Sequence, residues 1–169
     1  MFTRRRLLVA SCVAVVAVVL GRRPWGTPRM QPIVDRIDAI RSLDNADDLD
    51  ALVTARDMFF AHPATADHLG VWFRLFERFP EDDGYGVLWS VLHRVEAVPG
   101  YEQLAVESVA ARPSRFPVDL VQRMVNSGRL AVGGVALLEL LGRVAADEGC
   151  PASVREDARY FLVSRDAGR

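Results

Sequence analysis

The chain has 169 residues, half of them hydrophobic and a quarter charged, which is room for one domain with a substantial core and excludes a disordered polypeptide. Its formal net charge of −1 hides a segregation: six of the 21 arginines lie before Met30 and all 22 acidic residues lie after it, so the chain from Met30 onward sets 15 arginines against 22 acids, a net −7, with no lysine. That balance disfavours nucleic acid, whose phosphates would be repelled, and favours a basic protein partner, although solubility accounts for the same charge. The two cysteines, Cys12 and Cys150, have no C-x-x-C spacing and no metal-ligand neighbours. Their usage fits a reducing compartment and no disulfide framework.

Residues 1–29 stand apart. Arg4-Arg5-Arg6 precede an apolar run over residues 7–20, followed by Gly21-Arg22-Arg23-Pro24. The run is shorter than the roughly 20 residues of a membrane-spanning helix and suits a signal h-region. Thr3-Arg4-Arg5-Arg6-Leu7-Leu8 looks like a twin-arginine export motif, yet no small-x-small cleavage site follows Leu20. Three readings stand: a short uncleaved membrane anchor through residues 7–20, an export signal through residues 1–23, or an over-extended start with translation from Met30. The compositional break at Met30 favours the last, and with it a cytoplasmic protein consisting of a single helical domain over residues 30–169.

That domain reads as all-α. Residues 30–43 carry Ile33, Val34, Ile37 and Ile40 at helical spacing, with charged residues opposite. The polar turn at Asp44-Asn45-Ala46-Asp47-Asp48 supplies N-cap candidates for a second helix reaching about Ala61, with Leu49, Leu52, Val53, Phe59 and Phe60 apolar. A third helix is expected from Pro63, which suits a first helical position, with Leu69, Trp72, Phe73, Phe76 and Phe79 on one face and Pro80 as its stop. Glu81-Asp82-Asp83-Gly84 then places carboxylates at the positive end of a fourth helix, which buries Val87, Leu88, Val91, Leu92 and Val95.

A fifth helix from Tyr101 offers Leu104, Ala105, Ser108 and Val109, and a sixth from Pro117 offers Val118, Val121, Met124 and Val125, with Gly128 in the left-handed position after its end. Residues 134–146 read as a seventh helix, apolar almost all round and therefore buried on most sides. The eighth starts near Pro151 with the capping-box pattern Ser153-Val154-Arg155-Glu156 and turns Val154, Ala158, Phe161 and Leu162 inward. No segment alternates and no Asn-Gly or Asp-Gly marks a hairpin. The expected architecture is about eight helices in short-loop antiparallel hairpins, pairing three with four, five with six and seven with eight in a HEAT-like right-handed stack.

Little in this pattern points to catalysis. His62 and His68 are six apart, off a common helical face, whereas helical metal ligands converge at spacings of three or four. His93 and Glu96 share a helix with Trp89 and could form an acid–base pair, but no nucleophile or second carboxylate stands at a fixed spacing, and a structural role is the better reading. The acidic clusters Asp44, Asp47, Asp48, Asp50 and Glu81, Asp82, Asp83 do not match a calcium loop, since the first lacks both the central glycine and the closing glutamate. They read as solvated loops or as docking points for arginine and lysine of a basic partner. Gly133-Gly134 is not a phosphate loop, having no preceding strand and no lysine. No cofactor and no metal are expected.

The segment LWSVLHRVEAV, followed by Gly100-Tyr101, a helix closed by Pro113, and LVQRMVNSG, resembles helical immunity proteins of bacterial polymorphic-toxin systems, in particular the immunity protein 30 family. The matching positions are Leu92, His93 and Glu96 in the first block and Arg123, Met124, Asn126 and Ser127 in the second. The continuation from Gly133 to Ala158 looks like the C-terminal end of such proteins, and the resemblance covers roughly residues 46–162, leaving the leader outside. It implies a non-enzymatic inhibitor that binds a cognate toxin domain in the cytoplasm, and the acidic body fits a basic, nuclease-like toxin. A helical interaction scaffold, tethered to a membrane through residues 7–20, is the alternative. Within the motif, Trp89, His93, Glu96, Arg123 and Asn126 are expected to lock the fourth and sixth helices together.

Overall fold

A computed structural model of the chain describes residues 29–167. The leader read as signal, anchor or over-extended start lies outside the described residues, apart from Arg29. Among the described residues the fold is all-α, with eight helices of nine residues or more, one four-residue helix and a two-stranded hairpin. No helix among them is long and apolar enough to cross a membrane.

Helix α1 (Met30–Asp38) buries Ile33, Val34 and Ile37. It ends five residues before the expected Leu43, although Ile40 and Leu43 remain in the core. The reason is tertiary: Arg78, forty residues on, donates from Nη2 to the Ile37 carbonyl at 2.9 Å and from Nη1 to those of Asp38 and Ile40 at 2.8 and 3.0 Å. A guanidinium at the negative end of a helix satisfies carbonyls that would otherwise have needed another turn. Helix α2 (Ala46–Phe60) starts from Asn45, whose side chain accepts from the Asp48 N–H, and buries Leu52, Ala55 and Phe59.

The single helix expected from Pro63 is two: α3 (Thr65–His68) and α4 (Gly70–Arg78). The Thr65 hydroxyl donates back to the carbonyls of Phe59 and His62 at 2.8 and 2.5 Å, fixing a tight reversal that Pro63 alone does not specify. On α4, Val71, Trp72, Phe73, Leu75 and Phe76 are all buried. An apolar circumference this wide needs cover on several sides, so α4 packs on α1, α6 (Tyr101–Ala111) and α7 (Arg115–Asn126) more than on its sequence neighbour α5 (Val87–Glu96).

The expected hairpin of third and fourth helices is therefore absent, while α6 with α7 and α8 (Leu137–Ala146) with α9 (Ala152–Ala167) form two of the most extensive pairings, together with α1 and α2. Helix α8 buries Leu137, Leu140, Leu141 and Val144 on one side and leaves Leu138 half-buried. The helix wrapped on most sides is α4.

Between α7 and α8 lies a hairpin that alternation could not reveal. Strands β1 (Ala131–Val132) and β2 (Val135–Ala136) pair antiparallel with Ala131 opposite Ala136. Gly133 and Gly134 have φ of +55° and +82°, the left-handed pair that a two-residue hairpin turn needs. They are the turn, and the helix expected from Gly134 begins only at Leu137. One aromatic series crosses the core: Phe73 meets Phe76, Phe76 meets Phe116 on α7 at 5.1 Å, and Phe116 meets Trp89 on α5 edge-on at 5.2 Å.

Candidate functional site

Pro80 follows the end of α4, and the six residues after it make a turn held by backbone bonds and by two aspartate side chains. Asp82 accepts from the Gly84 N–H at 2.8 Å and Asp83 from the Gly86 N–H at 3.3 Å. Gly84, Tyr85 and Gly86 run through three successive left-handed conformations, with φ of +55°, +52° and +87°. Gly84 is the buried member: a Cβ there would stand 3.5 to 3.6 Å from the side chains of Leu49 and Leu43. Tyr85 is the one non-glycine with positive φ among the described residues, and its side chain is 78% exposed. An L-residue held so costs on the order of 1–2 kcal/mol, and the tyrosine covers no core in return.

The packing of Gly84 onto Leu43 and Leu49 brings the second acidic cluster against the first. The Tyr85 hydroxyl stands 3.5 Å from the Asp44 carboxylate, at the long limit of a hydrogen bond. Asp47 and Asp50 are exposed and make no side-chain bond among the described residues. Asp48 has an internal task, accepting from the Arg41 and Ser42 N–H groups at 2.8 and 2.9 Å, and those two donors hold its carboxyl below its ordinary range. Glu81, on the other flank, accepts from the Ser153 hydroxyl at the start of α9 at 2.5 Å. The two acidic turns thus meet at Gly84 and at Tyr85, whose hydroxyl stands beside Asp44. Three of their carboxylates, Asp48, Asp82 and Asp83, also fix the local backbone.

The motif residues lie elsewhere. Arg123 on α7 bridges Glu96 on α5 at 3.1 Å and Asp119, one turn back, at 3.2 Å. His93 is exposed, with Nδ1 4.0 Å from Glu96, and Asn126, exposed at the last position of α7, makes no side-chain bond among the described residues. The α7 terminus is satisfied instead by Ser127, which donates to the Met124 carbonyl at 2.7 Å, and by Gly128 at φ +90°. His62 accepts from the Ala64 N–H through Nδ1 at 3.0 Å. Among the described residues no three His, Cys, Asp or Glu side chains gather to hold a metal ion.

Beside the acidic turn a groove of about 310 Å³ opens between α5, α7 and α9, with Trp89, Phe161 and Tyr160 as aromatic walls and Arg115, Asp119 and Asp157 as its charges. Neither Tyr85 nor this groove was among the residues expected to act. The Gly-Tyr-Gly triplet behind two aspartates was the available signal for the former. The groove depends on packing between segments some 70 residues apart. No family model, curated protein or solved structure matches the chain.

Proposed function

We propose that this protein is a non-enzymatic binding module that engages a basic protein partner through the acidic face around Tyr85, and that the partner is a toxin domain which the complex neutralises in the cytoplasm. The observation that carries the reading is the contact between two acidic turns, Gly84 against Leu43 and Leu49 and the Tyr85 hydroxyl 3.5 Å from Asp44, with Tyr85 held exposed in a left-handed conformation. Tyrosine is enriched among residues that dominate binding energy, because it presents a large amphipathic surface with few rotatable bonds. Surrounding carboxylates add long-range attraction, which raises the rate of encounter with a positive surface such as the substrate path of a nuclease. The resemblance over residues 46–162 to helical immunity proteins supplies the toxin part of the reading, and the net −7 from Met30 onward agrees with it.

The test is co-expression with the product of the neighbouring gene, scored by co-purification and by rescue of cells that make its toxic domain. Wild-type protein should do both. Tyr85→Ala should weaken the complex by about 2 kcal/mol, some thirtyfold. Asp44→Asn, Asp47→Asn and Asp50→Asn together should slow association at low salt by about tenfold while leaving the fold intact. A wild-type protein that neither co-purifies nor rescues would sink the proposal.

A further inference from the structure

We infer that the groove between α5, α7 and α9 is a receptor for a guanidinium side chain, an arginine presented by the same partner that meets the acidic face. The inference rests on the binding function proposed above. Its first support is the charge balance of the lining. Asp119 and Asp157 face one cation, Arg115, and the Arg123–Glu96 pair behind Asp119 adds no net charge. The groove is therefore left at −1, and one incoming cation brings it to zero. Asp157 is exposed and makes no side-chain bond among the described residues. Asp119 is only 26% exposed, and its arginine is shared with Glu96. Burial outweighs that shared pairing, so its carboxyl is pushed above its ordinary range. A second cation would offset the uncompensated desolvation.

The walls suit the same ligand. Trp89 is fixed from below by Phe116, which rests in turn on buried Phe76, so the indole is a preset platform. Arg115 already stands over it, Cζ 5.4 Å from its centroid, so the wall left open to an incoming guanidinium is Tyr160, 76% exposed. Planar guanidinium stacks on aromatic faces and binds carboxylates through a fork of N–H donors, where lysine offers only a point charge.

Continuity is the third support. Ser153, which holds Glu81, and Asp157 are one turn apart on α9, roughly 6 Å at 1.5 Å per residue, and the Arg115 N–H donates to the Pro80 carbonyl at 2.8 Å. Two or three residues of an extended partner segment, at about 3.3 Å each, reach from the acidic turn into the groove.

The experiment titrates the full chain with N-acetyl-arginine amide at low ionic strength and follows the Trp89 indole N–H by NMR, assigned through Trp89→Phe. N-acetyl-citrulline amide, N-acetyl-norleucine amide and N-acetyl-glutamate amide serve as neutral, apolar and anionic controls. The expected result is a saturable shift with the arginine compound, about tenfold weaker with citrulline, and abolished in Asp119→Asn/Asp157→Asn. Asp157→Asn alone, at an exposed position, serves if the double variant is poorly folded. Equal binding of citrulline or norleucine, preference for glutamate, no saturation, or indifference to the aspartate changes would overturn the inference. Tyr85→Ala should leave the arginine titration unchanged while weakening the protein complex, so failure of the groove and failure of the acidic face read out separately.

Discussion

In the turn, carboxylates stand at the surface and take backbone N–H donors: Asp48 from Arg41 and Ser42, Asp82 from Gly84, Asp83 from Gly86. In the groove, Asp119 is largely buried against α5 and must share its single arginine. The same functional group is thus driven in opposite directions, lowered at Asp48 by donated hydrogen bonds and raised at Asp119 by loss of water. The turn holds its shape by local bonds and glycine geometry, so its surface is set by its own backbone. The groove holds its shape by side chains from three helices, so Asp119 is placed where water screens it less. On the binding function proposed above, the first region attracts a partner and the second discriminates among its side chains.

Breaking the groove should have the largest effect. Phe116 is fully buried and joins Phe76 to Trp89, so Phe116→Ala should cost about 3–5 kcal/mol in urea unfolding and release the Trp89 platform, leaving the turn's Tyr85 surroundings unchanged by NMR. Gly84→Ala attacks the other region. Its Cβ would meet Leu43 and Leu49 at ordinary contact distance, so the expense is the left-handed backbone alone, about 1–2 kcal/mol by thermal melting. Tyr85→Gly relieves that strain and should raise stability by up to about 1 kcal/mol while weakening partner binding. A residue that stabilised the fold through its side chain would give the opposite sign in the melt.

The smallest effects separate the two carboxylates by pH. Asp48 has its folded-state pKa lowered, so its contribution is complete above the unfolded value and disappears as pH falls through the folded one. Asp48→Asn should therefore lower the urea midpoint at pH 7 and have no effect in strong acid. Asp119 has its folded-state pKa raised. The folded state then binds the proton more tightly, and stability falls as pH rises from the unfolded pKa to the folded one. Asp119→Asn should gain under about 1 kcal/mol at pH 7, discounted for its remaining solvent contact, and the gain should vanish below the carboxylate range. Matching slopes for the two variants would erase the distinction between the regions.

Periodicity in the sequence was enough to place the helices and most inward faces: Ile33 and Ile37, Phe59, Trp72 and Phe76, Leu88 and Val91, Val121 and Met124 are all buried. Gly128 after α7 was equally legible, because a left-handed helix end is a local matter. What escaped was non-local. The early end of α1 depends on Arg78, and the path of the chain around α4 depends on how many sides of that helix need cover. The hairpin at Gly133-Gly134 escaped for another reason: two-residue strands are too short to alternate, leaving only the glycine pair to announce it. The acidic clusters could be read as charge, but their meeting around Tyr85 follows from Leu43 and Leu49 lying against Gly84, which no single segment encodes.

The Arg78 contact also orders events in time. Helix α1 and the chain after it leave a ribosome about forty residues ahead of the side chain that terminates them. Until α4 arrives, the carbonyls of Asp38 and Ile40 have only water as partner, that of Ile37 has only the N–H of Ile40 just beyond it at 3.3 Å, and an isolated helix of nine residues is marginal. Asp38 and Ile40 therefore gain their side-chain donor only once Arg78 has been made and docked, and Leu43 and Leu49 gain their contact with Gly84 later still.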